Sequence, residues 1–421
     1  LLGSAFVKRI GVTKTGGFVP TEWLESEPRA EEDVQGNAVV AGVGESTYYV
    51  RGRSPDSEFK LCIEAIRKAV ADAGLELADI DGFVSYMDLR NDPLRLAHAL
   101  GIRELRWAAQ TWAGGGNNAA AAVQLADAAV SAGYAKNVVA FRALAQGQFG
   151  RFGQAGVRGT GSGLVGDFSW KAPYGLLSPA QECALHTSKF MHDHDISQEA
   201  LCDISMACYS NAQRNPRALR YGQPLTREKY HASRWIVEPF HLFDCCPEND
   251  GAAAIVVTTK ERGRDLQQTP VPILAATQGL GPKYGFSAFQ PKWIGQMYYS
   301  TVGEAIYQRA GVKPADIDVV QMYENFTGPV LIALCEMGFC EPGDVEAFVS
   351  NDALVGPKAK LPFNTSGGNI GEAYIHGFEL VVEAVRQVRG QSTCQVDDVN
   401  LSLVAAGPGY APGSAVLLGA N

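Results

Sequence analysis

The chain has 421 residues, of which 46% are hydrophobic and 19% charged, and its formal net charge is −9. That length suits two or three domain-sized units or one large duplicated fold, and the hydrophobic share excludes wholesale disorder. The acidic balance argues against a nucleic-acid protein or a basic membrane-surface binder. The nine cysteines are odd in number, include the adjacent pair Cys245-Cys246, and lack a repeated spacing. They read as reduced thiols of a cytoplasmic protein and not as a disulfide framework. No apolar run reaches the roughly 18 residues that a spanning helix needs.

Residues 1–37 lack a basic stretch followed by an apolar one and read as an N-terminal extension, not a signal peptide. Folding is expected to begin at the apolar run 38–44. A helix follows over 56–74, with Phe59, Ile63, Ile66 and Val70 at helical spacing, an acidic first turn and a closing Gly74. Residues 81–86 read as a buried strand, which completes a βαβ rhythm.

The phrase AGLELADID at 73–81 returns as AGVKPADID at 310–318, an offset of 237 positions (310 − 73 and 318 − 81) that carries Tyr86 onto Tyr323. Matching helix and strand context on both sides makes an internal duplication the better reading. Each half also has a glycine-rich helix start. In the first, Gly114–Gly116 leads into an alanine-rich helix ending at Gly133 and a strand at 137–141. In the second, NTSGGNIGEAYIHG over 364–377 leads into a helix over 378–386. The predicted organisation is an N-terminal half at 38–265, carrying an irregular insertion at 142–240, and a C-terminal half at 266–421. The insertion is glycine-rich over 147–166 and helical over 179–215, as expected of a lid, a substrate pocket or an oligomer contact.

Four phrases, DGAAA at 250–254, YENF at 323–326, NTSGG at 364–368 and LVAAGPG at 403–409, together resemble the thiolase superfamily, specifically its lipid-transfer or sterol-carrier-protein type. The resemblance covers residues 38 to the end. It implies a duplicated α/β fold of five layers, α-β-α-β-α. The chemistry departs from that pattern. A thiolase carries its nucleophilic cysteine at a helix N-terminus, where the dipole favours thiolate. The matching position here is Gly116, and no cysteine lies between 63 and 182. The family's Asn or His in its Asn-Glu-Ala-Phe motif falls on Tyr323, the histidine of its Gly-His-Pro motif on Tyr374, and its late Cys or His near Ala405. Acyl-enzyme chemistry is therefore not expected.

The paired tyrosines look like the aldolase branch of this family, which shortens steroid side chains as CoA thioesters. The resemblance implies retro-aldol cleavage of a β-hydroxyacyl-CoA to a ketone and a shorter acyl-CoA such as propionyl-CoA. Tyr323 and Tyr374 are the candidate acid and base, since a phenol both donates and accepts, with His376 a further candidate. The sequence does not say which tyrosine is which. Backbone N–H groups at Gly116, Gly367, Gly368 and Gly407, with Asn325, are the candidate oxyanion and substrate contacts. No cofactor is expected beyond the CoA of the substrate, and no metal in this chain. The resemblance further implies a homodimer and a small OB-fold, zinc-ribbon partner, which would hold any zinc. Two rival readings share the same departures: a non-catalytic acyl-CoA-binding scaffold, and an atypical thiolase or acyltransferase drawing a cysteine such as Cys183 from the insertion.

Other motifs carry less. Gly161-Ser-Gly-Leu-Val-Gly166 spells a dinucleotide fingerprint but follows no convincing strand. Cys183, His186, His192 and His194 match no common zinc spacing. Cys245-Cys246 reads as core and turn, and Asp250 as a turn-fixing residue.

Overall fold

The computed structural model describes residues 36–86, 88, 90–111, 115–149, 168–280, 295–297, 299–407 and 412–420. The extension before residue 36 and the glycine fingerprint at 161–166 lie outside them. Strands β1 (Ala38–Glu45) and β2 (Tyr49–Val50) precede helix α1 (Glu58–Asp72). The Ser57 side chain caps α1 by accepting from the Lys60 N–H, and Gly74 ends it at φ +73°. The buried stripe of α1 is Leu61, Cys62, Ala65, Ile66, Ala69 and Val70, with Phe59 and Ile63 only half-buried. It is thus rotated from the predicted one because small Ala and Cys side chains let the helix sit tightly on β1. Gly42 makes that approach possible, since a Cβ there would meet the Ala73 nitrogen at 2.8 Å.

The first half continues through β3 (Gly82–Tyr86), α2 (Pro93–Leu100), β4 (Trp107–Thr111), α3 (Ala119–Ser131) and β5 (Asn137–Ala145). β5 runs past Phe141, so the first residues assigned to the insertion are strand. The insertion carries α4 (Phe168–Lys171), α5 (Pro179–Asp193), α6 (Gln198–Ala212), α7 (Arg227–His231), β6 (Trp235–Val237) and β7 (Phe240–His241). β8 (Asn249–Thr259) and α8 (Lys260–Gly263) follow. The second half comprises β9 (Val271–Gly279), α9 (Tyr299–Ala310), β10 (Val319–Met322), α10 (Thr327–Glu336), α11 (Val345–Val349), α12 (Gly368–Gly371), α13 (Phe378–Arg389), β11 (Leu401–Ala406) and β12 (Gly413–Gly419).

Ten strands form one mixed sheet in the order β10-β11-β12-β9-β1-β8-β5-β3-β4, with β2 beside β8, while β6 and β7 pair as a separate antiparallel ribbon. Its two half-sheets meet where β1 pairs with β9 through Val39–Pro272 and Val40–Val271. The halves repeat each other. β3 runs parallel to β5 and β4, and β10 runs parallel to β11. Phe83 pairs with Ala108 of β4, and its offset equivalent, Val320, forms a parallel bridge to Phe363. Asp81 accepts from the N–H groups of Lys136 and Asn137, while its equivalent Asp318 accepts from those of Asn400 and Leu401.

Strand alternation sorts the core into layers. On β8, Ala253, Ile255 and Val257 face a central cluster with α3 and α13, while Ala252, Ala254 and Val256 face α1. On β11 and β12, Val404, Ala406, Val416 and Leu418 face the same central cluster, while Leu403, Ala405, Ala415 and Leu417 pack toward α5, α6, α9 and α10. The order is helices, half-sheet, the α3–α13 pair, half-sheet, helices, the five layers expected. Full burial of one such branched side chain contributes about 1.5–3 kcal/mol. Helices α3 and α13 form the central layer, and there the Gly115–Gly116 turn before α3 meets the loop before α13.

Candidate active site

β10 delivers Tyr323. Asn364 fixes the end of that strand from both sides, its Oδ1 accepting the Met322 N–H at 2.7 Å and its Nδ2 donating to the Met322 carbonyl at 2.8 Å. The Tyr323 N–H donates to the carbonyl of Ala405 on β11 at 2.9 Å. Tyr374 arrives from the loop before α13. Its N–H donates to Asn249 Oδ1 at 2.5 Å, and the next N–H, of Ile375, donates to Glu379 Oε2 at 3.1 Å. These anchors bring the two hydroxyls to 2.8 Å of each other. Both rings are buried, Tyr323 at 2% exposure and Tyr374 at 7%.

Burial pushes both phenols well above their ordinary value, so both are protonated at rest. The Arg142 charge works against the rise at Tyr374. The half-buried Cys246 thiol beside them is pushed up by burial and is neutral.

Gly116 lies at the first-half turn that precedes α3. A Cβ there would fall within the Tyr323 ring, 2.5 Å from its Oη. Tyr323 thus fills the volume that a nucleophilic side chain at 116 would need. Gly377 permits the same ring on another side: its φ is +82°, and a Cβ would stand 2.6 Å from Tyr323 Cδ2. Asn117 ties the turn to the end of the chain, its Oδ1 accepting from Gly115 N–H at 2.7 Å and its Nδ2 donating to the Pro412 carbonyl at 2.6 Å. Gly407, at φ +141°, packs on Asn117, where a Cβ would meet Asn117 Cβ at 3.3 Å. Gly116 and Gly407 therefore border one space; residues 408–411 of that loop are outside the described set.

His376 stands edge-on to Tyr374, ring centroids 5.2 Å apart, with its backbone at φ +53°. Its ring also abuts the first-half turn, since a Cβ on Gly115 would lie 3.7 Å from Nε2. The structure thus brings Tyr323, Tyr374, His376, Gly116 and Gly407 together. Gly367 and Gly368 stand apart in role. Their N–H groups are spent on the Asn364 carbonyl and Ser366 Oγ, and their missing Cβ atoms make room for Ala212 and for the Glu324 carboxyl. They shape the loop that places Tyr374. Asn325 is buried, its carbonyl accepts from the Cys246 N–H at 2.9 Å, and its side-chain oxygen has no hydrogen-bond partner among the described residues.

Several neighbours escaped sequence reasoning. Glu324, whose carboxyl burial pushes up to about 8, takes the Ile370 N–H at 3.1 Å and supports the second glycine turn. Arg142 and Tyr86 contact His376, and Asp88 pairs with Arg142. Arg142 carried a readable signal as the single charge in the strand NVVAFRALA. Asp250 does fix turns, its two oxygens accepting from Gly52 and Gly147. His186 Nδ1 accepts from the Gly295 N–H instead of facing a metal, and Cys183 is buried. The compact ligand-type group among the described residues is Glu199, Cys202 and His231, where Arg227 already pairs with Glu199 at 2.8 Å.

Comparison with known proteins shows the family. Residues 288–419 match the thiolase C-terminal domain-like family. The chain is 40% identical to a 17-hydroxy-3-oxo-4-pregnene-20-carboxyl-CoA lyase of Mycobacterium tuberculosis, over 92% of this chain and 100% of that one. It is 39% identical to a steroid side-chain-cleaving aldolase of Thermomonospora curvata, over 92% and 98%. The chain belongs to the thiolase superfamily, in its steroid side-chain-cleaving aldolase branch. Among solved structures of the superfamily, one described as an Ltp2-ChsH2(DUF35) aldolase superposes with a TM-score of 0.84 at 38% identity, covering 92% of this chain and 98% of that one. The fold assignment thus stands as expected.

Proposed function

We propose that this aldolase-branch chain catalyses retro-aldol cleavage of a steroid side chain carried as a β-hydroxyacyl-CoA. The observation that supports it most is the Tyr323–Tyr374 hydroxyl pair, packed into the space of a nucleophile. In a 17-hydroxy substrate with its carboxyl-CoA on C20, the hydroxyl is β to the thioester. Cleaving C17–C20 leaves a 17-ketone and propionyl-CoA. The bond's electron pair passes into the thioester as an enolate, and the α-carbon then takes a proton. The hydroxyl loses one proton and the α-carbon gains one, so two hydrogen-bonded phenols can relay it with no net change. Because burial disfavours a free phenolate, such a relay suits this pair better than a standing base. N–H groups at Gly116 and Gly407, with His376, surround the place for the enolate oxygen, and the Asn325 oxygen is available to a donor of the substrate. The reaction is redox-neutral and, on this reading, needs no cofactor beyond the substrate's CoA.

A DUF35-type partner, of OB-fold and zinc-ribbon build, is part of the same proposal, any zinc belonging to it. A homodimer is supported by β4, which ends the sheet with Ala108 and Gln110 exposed. A cytoplasmic place is supported by nine free cysteines. No helix among the described residues is long and apolar enough to cross a membrane.

The test is mass spectrometry of products from a 17-hydroxy-20-carboxyl-CoA steroid, with and without the partner and without free CoA. Ketone plus propionyl-CoA supports the reading. Tight binding with intact substrate favours a scaffold, and cleavage only on adding CoA favours a thiolase.

A further inference from the structure

Arg142 is the largest fully buried side chain of the described residues, 1% exposed, in a strand whose other members are apolar except Asn137. Taking a guanidinium out of water is costly unless its charge and donors are met. Asp88 meets part of that cost, its Oδ2 standing 3.3 Å from Nη1, with both side chains almost wholly buried. Asn91 in turn donates to both oxygens of Asp88. The guanidinium lies 5.5 Å from the centre of the Tyr86 ring. Its other nitrogens do something that core stability does not require: Nε and Nη2 stand 3.3 and 3.2 Å from Nδ1 of His376.

A guanidinium has five donors and no acceptor. Nδ1 must therefore offer its lone pair, and in the neutral ring the proton sits on Nε2. Nε2 is the nitrogen beside the Gly115–Gly116 turn. Tyr86 Oη donates to the His376 carbonyl at 2.8 Å and anchors its backbone at φ +53°, and the rings of Tyr86 and Tyr374 flank the imidazole.

We propose that Arg142, buttressed by Asp88, is a positioning residue that fixes His376 as the Nε2–H tautomer, so that this N–H is presented to the thioester oxygen as the enolate forms. The proposal rests on the aldolase reading for its chemistry, but the tautomer stands independently of it. A histidine with the proton on Nδ1 would offer that oxygen a lone pair, repelling the charge that develops there.

Two measurements test it. Long-range 15N–1H correlation of histidine-labelled protein, with the His376 signal assigned by its loss in His376→Gln, reports the tautomer directly. The Nε2–H pattern is expected, and an Nδ1–H pattern in the unmodified protein overturns the proposal whatever the enzyme does. The second is kinetic, on the complex with the partner. The double variant Arg142→Met/Asp88→Asn removes both buried charges together, so neither is stranded. It should lose about 10²-fold in kcat, of the order seen when one oxyanion donor is removed, with KM within about twofold. Arg142→Lys, which keeps one donor, should recover part of the loss, a recovery that a purely structural role would not link to the His376 signal. Wild-type kcat in the double variant sinks the proposal. If the unmodified complex fails to cleave the substrate, the aldolase reading falls, and the tautomer spectrum still decides this one.

Discussion

Gly116 and Tyr323 compete for one space: a Cβ at 116 would stand 2.5 Å from the Tyr323 hydroxyl, inside the envelope of its ring. A side chain at 116 and the phenol ring of Tyr323 thus exclude each other. Restoring the cysteine alone should not restore a thiolase. Gly116→Cys is expected to lower stability by about 1–3 kcal/mol through overpacking and to abolish cleavage. Thermal melts and product analysis check this, and adding Tyr323→Ala should return most of the stability without the activity.

Removing either hydroxyl should stop the reaction without unfolding the protein. Tyr374→Phe and Tyr323→Phe each leave a buried partner hydroxyl unmatched, a cost of about 1–3 kcal/mol. Turnover should drop by at least about 10²-fold in each. The double Phe variant should lose little more than either single one, because the pair acts as a unit. Full turnover in Tyr374→Phe would remove it from the mechanism.

Stability should fall as pH rises above neutrality. Burial raises Glu324 from 4.5 to about 8 and Glu336 from 4.5 to about 7. The folded protein thus holds protons that the unfolded chain has released, and stability is lost as pH climbs from about 4.5 through these values. His186, lowered from 6.5 to about 4, acts oppositely, adding stability as pH rises to 6.5. Between pH 6.5 and 8 the carboxyls therefore decide the sign. Urea denaturation at pH 6.5 and 8 measures it, and Glu324→Gln should flatten the decline.

Thiol chemistry should be dispensable. Cys183 is 2% exposed, and burial pushes its thiol well above the ordinary range, the reverse of what a nucleophile needs. Cys183→Ala should keep turnover within about twofold of wild type, and a dead variant with a normal fold would revive the thiolase reading.

The duplication is written locally: glycine-bounded helices and a phrase repeated at a fixed offset need no knowledge of distant contacts, while the five layers came with the family resemblance. Tyr323 and Tyr374 were legible as replacements in motifs of known order. What was not legible depends on contacts across the fold. Gly367 and Gly368 resemble an anion-binding turn in sequence, yet their N–H groups are spent within the loop and their open sides admit Ala212 and Glu324. Asp88 and Arg142 are 54 residues apart, and Arg142 meets a histidine 234 residues further on, so neither could be tied to the site from spacing. The rotated stripe of α1 follows from Gly42, whose missing side chain is felt only by the helix above it.

The repeat gives Tyr86 and Tyr323 equivalent places at the ends of matching strands, and the two have since parted company. Tyr86 spends its hydroxyl on the His376 carbonyl, while Tyr323 turns its own toward another phenol. One position of the repeat is a brace in the first half and, on the proposed aldolase reading, a reagent in the second. A duplicated scaffold can divide labour in this way without moving a strand: asymmetry enters through what each tyrosine meets, and the backbone symmetry survives it.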